Sequence, residues 1–234
     1  MDDIPVARRS RPPSQARRSS PLAGLAWLLL FLGLLSGAGF LFRDRLTALL
    51  VPPPVPGLEA RLSSDGRLLG HFPYPEVSAS RLVSIGGGQQ LRPDAAAALE
   101  AMRGDAASDG VDIVVLSAFR SLALQRQLFF DVMAQRNQSS RERAHVSAPP
   151  GYSEHSTGYA VDLGDGHAPG TNVSAHFDET AAFRWLQANA ARYHFALSFP
   201  PNNGQGVSYE PWHWRYEGST EALRLFEPSM RLSR

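Results

Sequence analysis

Two residue types are missing from this 234-residue chain. It has no cysteine, which excludes a thiolate nucleophile, a disulfide framework and a cysteine-ligated zinc site. It has no lysine either: all 23 basic side chains are arginine, so Schiff-base chemistry and a serine–lysine dyad are unavailable. Nor is there a surplus of charge. A formal net charge of +1 offers no basic surface of the kind that phosphate backbones require, so nucleic acid is not an expected partner. Hydrolytic chemistry in this chain must therefore use histidine, carboxylates, hydroxyls or a metal.

Charge is also absent locally. From Pro21 to Phe42 no side chain is charged, and Leu25 to Leu35 forms the apolar centre of that run. About 20 such residues, rising 1.5 Å each, span a hydrocarbon layer of roughly 30 Å. Arg8, Arg9, Arg11, Arg17 and Arg18 precede it against only Asp2 and Asp3, whereas Arg43 and Arg45 behind it are partly offset by Asp44. The heavier positive flank stays in the cytoplasm. The expectation is a basic cytoplasmic tail over 1–20, a single transmembrane anchor over 21–42 and an extracytoplasmic remainder at the cell membrane. A cleavable signal peptide is the competing reading, because Ser36-Gly37-Ala38 resembles a small-residue cleavage site. Both export the rest of the chain. Residues 43–57 include Val51-Pro-Pro-Pro-Val-Pro56, a stiff extended linker.

The region 58–234 has enough length for one domain with its own core. Leu58 to about Gly70 reads as two short strand segments around a turn at Ser64-Asp65-Gly66. A helix is predicted from Pro93, with proline in its first turn and Asp94 near the positive end of the dipole. Val111–Leu116 is a β-branched run suited to a central strand. A helix follows through Leu122–Phe130, then a loop at Ala148–Gly151 and a strand at Tyr159–Leu163. Phe177–Tyr193 fits an amphipathic helix with Phe183, Leu186 and Ala190 on one face. A last strand over Ser208–Tyr216 and a closing helix over Thr220–Phe226 complete the pattern. Helices and strands without regular βαβ alternation predict an α+β domain, a small antiparallel sheet flanked by helices.

Two segments concentrate potential metal ligands: Ser153-Glu-His155-Ser-Thr-Gly158-Tyr-Ala-Val-Asp162 and Glu210-Pro-Trp-His213-Trp-Arg215. A hydrolytic zinc needs about three protein ligands, an open position for water and a nearby base. His155, Asp162 and His213 offer two imidazoles and a carboxylate. Gly158 permits a sharp chain reversal between the first two. Pro211 supplies the bend that lets Glu210 and His213, three residues apart, face one place. Taken singly, each residue has a duller explanation: a hydrogen-bonded histidine, a capping aspartate, core tryptophans. The remaining histidines, His71, His145, His167, His176 and His194, have no neighbour at metal-ligand spacing; His145 and the loop Gly164–Gly170 are candidates only for the edge of a cleft.

In order along the chain, Ser117-Ala-Phe-Arg120-Ser121, Ser153-x-His155-x-x-Gly158-x-Ala160-x-Asp162 and Glu210-x-x-His213 resemble the VanY-type D-alanyl-D-alanine carboxypeptidases. These belong to a group of zinc peptidases related in fold to the hedgehog signalling domain. The resemblance covers roughly Leu91 to Tyr216. It implies Zn²⁺ held by His155, Asp162 and His213, with Glu210 as general base and Arg120 as the cation that stabilises the transition state. Ser153 and Gln125 match positions that hold substrate. The implied partners are peptidoglycan stem peptides and, through the N-terminal helix, the membrane. The same ligands would serve an L,D-carboxypeptidase, a peptidoglycan endopeptidase or a non-catalytic wall-binding module, since fold does not fix the bond cut. A terminal carboxylate would need a donor, and Arg120, Gln125 and Ser153 are the motif residues available for it.

Overall fold

The computed structural model describes Val55 and residues 57–232. The predicted anchor over 21–42 lies outside them; among the described residues no helix is long and apolar enough to cross a membrane. The described part is an α+β domain of five helices and two antiparallel sheets.

The small sheet pairs β1 (Val83–Ser84) with β2 (Gln90–Leu91). The main sheet has four strands: β3 (Ile113–Ser117), β4 (Ala160–Asp165), β5 (Phe195–Leu197) and β6 (His213–Tyr216), in the order β3-β4-β6-β5 and antiparallel throughout. The β-branched run at Val111–Leu116 therefore forms an edge strand, contrary to the expectation of a central one. Its first residue is buried and the next four are only half-buried. The edge is not left open: Arg103 Nε donates to the Ile113 carbonyl at 2.8 Å, the kind of cover that stops an exposed edge from recruiting another strand. The fully buried central strands are β4 and β6.

Period-two alternation divides these two strands between core and site. Val161 and Leu163 of β4, with Trp214 and Tyr216 of β6, join the main apolar core with Leu99, Met102, Phe183 and Phe226. Asp162, His213 and Arg215 occupy the alternate positions. Helix α1 (Pro93–Ser108) opens as predicted, with Pro93 in the first turn and Asp94 Oδ1 accepting from Ala95 N. Its buried residues Ala95, Leu99, Met102 and Ala106 fall at helical spacing along one face. Helix α2 (Leu122–Gln135) is capped by Ser121, whose side chain accepts from Leu124 N at 3.1 Å. A short helix α3 (Ser140–Ala144) follows, closed by a capping box between Ser139 and Glu142.

Elsewhere the predicted elements break or shrink. The helix expected over Phe177–Tyr193 is three pieces: a 3₁₀ turn at Ala175–Glu179, α4 (Ala181–Asn189) and a 3₁₀ turn at Ala190–Tyr193. Thr180 causes the first break, because its hydroxyl accepts from Phe183 N and makes it the N-cap of α4. Around Leu58–Gly70 the turn is present, with Gly66 N donating to Ser63 O at 2.9 Å, but its flanks make only isolated bridges. They pack with Phe129 and Ala144 in a second, smaller core. The expected strand over Ser208–Tyr216 keeps only its last four residues, and the closing helix α5 (Thr220–Leu232) runs past Phe226 with Pro228 inside it.

Candidate metal centre

The pairing of the main sheet sets the centre. In the β4–β6 ladder Asp162 is the partner of His213, and in the β3–β4 ladder Ser117 is the partner of Asp162, just past an irregularity between Val115 and Ser117. Ser117, Asp162 and His213 therefore form a row across three strands, directly paired side chains being about 5 Å apart at Cβ. His155 enters from a 3₁₀ turn, Glu154–Thr157, that ends on Gly158 in the left-handed region at φ 72°. Only a residue without a Cβ takes that conformation without strain, and here a Cβ would also sit 2.8 Å from Leu82 Cδ2.

The candidate ligand atoms of His155, Asp162 and His213 all lie within 4.8 Å of one another. His155 Nε2 is 3.2 Å from Asp162 Oδ2, and His213 Nδ1 is 3.0 Å from Asp162 Oδ1. The other nitrogen of each imidazole is already engaged. His155 Nδ1 donates to the Ala118 carbonyl at 2.7 Å, and His213 Nε2 donates to Glu154 Oε2 at 3.0 Å. Such outer bonds fix the ring orientation and leave one lone pair directed at the shared point. Against the lowering effect of burial, the Asp162 and Glu154 carboxylates raise the His213 pKa to about 10, so a metal would have to displace its Nδ1 proton. Two imidazoles that are neutral when they ligate, with a carboxylate, are a donor set that fits a hydrolytic zinc with an open position.

Glu154 was not among the predicted site residues. It is buried, receives His213, Ser198 Oγ at 2.6 Å and Arg215 Nη1 at 3.2 Å, and has Tyr74 near its other oxygen. Burial works to raise its pKa, but the Arg215 charge and the His213 bond hold it down at about 2. Its sequence position, beside His155, is a faint signal. Its partners lie 44 to 80 residues away, and only the fold reveals them.

Glu210 has the opposite environment. It borders the same cavity as the three candidate ligands, of about 220 Å³, and its carboxylate makes no hydrogen bond or ion pair among the described residues. A turn from Glu210 O to His213 N (3.1 Å) supplies the bend predicted at Pro211. Burial pushes its pKa up to about 7, with the Asp162 and Glu154 charges adding to the shift and His213 and Arg120 opposing it. Arg120 lies beyond the end of β3, with Nη2 at 2.9 Å from Ser117 Oγ and 3.6 Å from Asp162 Oδ2. Ser153 also borders the cavity. Gln125 does not: it is completely buried, accepts from Arg120 Nη1 at 3.0 Å and donates to the Ala148 carbonyl at 2.6 Å. Its geometry fixes Arg120 and leaves no face for a ligand. His145 and the Gly164–Gly170 loop are likewise absent from the cavity wall, while Val173, beyond that loop, is part of it. His71, read as an isolated histidine, is buried at the wall and bonded through Nε2 to the Ala144 carbonyl at 2.8 Å.

A three-ligand cluster on an antiparallel sheet, with a free buried glutamate and an arginine beside it, is the site of a zinc metallopeptidase fold. The chain belongs to the family described as VanY, D-alanyl-D-alanine carboxypeptidase, whose model matches residues 88–219. It is 30% identical over 171 residues to a D-alanyl-D-alanine carboxypeptidase of Enterococcus faecalis, an alignment covering 68% of this chain and 60% of that relative. Among solved structures, the LdcB LD-carboxypeptidase aligns with a TM-score of 0.59 at 27% identity, over 78% of this chain and 94% of its own. A vancomycin-resistance D,D-pentapeptidase VanY mutant in complex with Zn(II) aligns with a TM-score of 0.52 at 28% identity, over 67% and 89%.

Proposed function

We propose that this protein is a zinc-dependent D-alanyl-D-alanine carboxypeptidase that removes the terminal D-amino acid from peptidoglycan stem peptides. The observation that carries the reading is the convergence of His155, Asp162 and His213 on one point beside a buried, unpaired Glu210. Zinc, when bound there, supplies a Lewis acid that polarises the scissile carbonyl and acidifies the hydrolytic water. The chain's own residues do the rest. Glu210, with its pKa raised toward neutrality, is matched to accept a proton from that water at a carboxylate oxygen and return it to the departing amine. Arg120 presents permanent donors where oxyanion charge develops, a contribution of about 3 kcal/mol for groups of this kind. Gln125 and Ser117 hold its guanidinium in place. Ser153 faces the peptide from the cavity wall.

The domain acts outside the cytoplasm, with the apolar run 21–42 as its membrane anchor. The support for this is the sequence: the uncharged run and the arginine excess before it. A second reading keeps the centre and changes the bond. The alignment with an LD-carboxypeptidase favours tests on tetrapeptides as well as pentapeptides.

The deciding experiment incubates the full-length chain, in detergent, with synthetic stem tetra- and pentapeptides and identifies products by mass spectrometry. Release of D-alanine from the pentapeptide, abolished by a chelator and restored by zinc, is expected. Cleavage of the tetrapeptide alone would move the assignment to L,D-carboxypeptidase. No cleavage, with tight binding of intact wall fragments, would overturn the enzyme reading.

A further inference from the structure

Two arginines border the cavity, and only one of them is explained by its protein neighbours. Arg120 is tied to Gln125, Ser117 and Asp162. Arg143, which also lines the cavity, is only 9% exposed. Its Nε has no hydrogen-bond partner, its Nη2 reaches the Leu128 carbonyl at a long 3.4 Å, and no carboxylate pairs with it among the described residues. Burial and the like charge of Arg136 both work against its charged form. Its position is not accidental to a frayed segment: the capping box of α3 fixes the turn, and Arg143 N donates to Ser139 O at 3.0 Å.

A guanidinium offers five donors and cannot lose its charge. Leaving the Arg143 Nε buried and unbonded, with one long bond at Nη2, costs stability. An anion entering the cavity would add charge-assisted bonds at the terminal Nη atoms, most effectively as a two-pronged carboxylate. We propose that Arg143 is a substrate-binding residue that grips a carboxylate of the peptide and so sets specificity in this cavity. The inference rests on the carboxypeptidase reading. It also adds a charged donor for a peptide acid: Gln125 is spent on Arg120 and the Ala148 carbonyl, Arg120 lies against Asp162, and Ser153 offers only a neutral hydroxyl. The carboxylate is either the terminal one of the released residue or a side-chain one on the retained part, and the two are separable.

The test compares the full-length zinc-loaded chain with Arg143→Met and Arg143→Lys on a stem pentapeptide, its C-terminal carboxamide, and a peptide whose side-chain carboxylates are amidated. Truncating one partner of a buried charge pair predicts a rise in KM of about 30-fold or more for Arg143→Met, with kcat little changed. Arg143→Lys recovers part of it. If the terminal group is the ligand, the gap between wild type and variant closes on the carboxamide; if a side-chain group is, it closes on the amidated peptide. An unchanged KM, or an equal loss on all three peptides, overturns the assignment. Thermal melting of the ligand-free proteins guards against misfolding: Arg143→Met should melt no lower than wild type, because an unpaired buried charge has been removed. Calorimetry with N-acetyl-D-alanine and its carboxamide separates this inference from the functional reading. Preference for the acid that is lost in Arg143→Met supports Arg143 even if no peptide is cut. Normal cleavage with no change in the variant defeats Arg143 alone.

Discussion

Glu154 and Glu210 are both buried glutamates on one cavity wall, yet their pKa values are driven apart, to about 2 and about 7. The difference is partnership. Arg215, His213 and Ser198 surround the first, whereas the second has burial and like charges. Such separation suits the proposed roles: a permanent anion that orients a candidate ligand histidine, and a carboxylate able to exchange protons near neutrality. Removing the outer partner of a metal-binding histidine weakens metal affinity by about 10- to 100-fold. Glu154→Gln is therefore expected to lose zinc to a competing chelator at correspondingly lower concentration, while regaining activity in excess zinc. Glu210→Ala should retain zinc, measured by elemental analysis, and lose activity by a factor of about 100 or more. His71 gives a pH signature. Burial lowers its pKa from 6.5 to about 4, against the opposing pull of the Ala144 carbonyl and Glu154. The unfolded chain takes up that proton first, so the stabilisation is complete above pH 6.5 and declines as pH falls from 6.5 through 4. The loss is on the order of 3 kcal/mol. Urea unfolding at pH 7.5 and pH 5 should show the fall in wild type and a smaller fall in His71→Gln; equal falls would remove the assignment.

At the scale of elements, the centre depends on a reversal and a pairing. The 3₁₀ turn carrying His155 must stop within one residue so that β4 can run back past it, and Gly158 provides that stop. Gly158→Ala combines a left-handed backbone with contacts of 2.8 Å to Leu82 and 3.0 Å to Arg92. A loss of about 1–2 kcal/mol, read by chemical denaturation, is expected. The direct pairing of Asp162 with His213 makes the distance between these ligands a property of sheet register. A one-residue slip would send Asp162 into the core and Val161 to the site. The break at Thr180 shows a different balance. The apolar spacing through Phe183, Leu186 and Ala190 was legible and all three are buried, but a hydroxyl able to cap a helix divided the segment.

For the whole molecule, metal and fold are linked. A zinc ion that binds the folded centre and not the unfolded chain stabilises by RT ln(1 + [Zn]/Kd), about 4 kcal/mol at a thousandfold excess over Kd. Stripping the protein with a chelator should lower its melting temperature by several degrees, and zinc should restore it. Reporter fusions before and after residues 21–42 test the orientation drawn from the arginine excess: a cytoplasmic signal from the first and an extracytoplasmic signal from the second are expected.

The sequence alone determined the α+β class, the start of α1, the order of the three motifs and the identity of the residues that meet at the centre. Those are local properties: periodicity, capping chemistry and ligand type are written in neighbouring residues. It did not reveal that Val111–Leu116 would lie at an edge, that Glu154 would stand behind His213, that Gln125 would turn away from the cavity or that Arg143 would be buried in its wall without a carboxylate partner. Each of these depends on contacts between residues far apart in the chain. Strand order, burial and electrostatic partnership are set when the sheet closes and the helices pack on it, so only the tertiary structure could decide them.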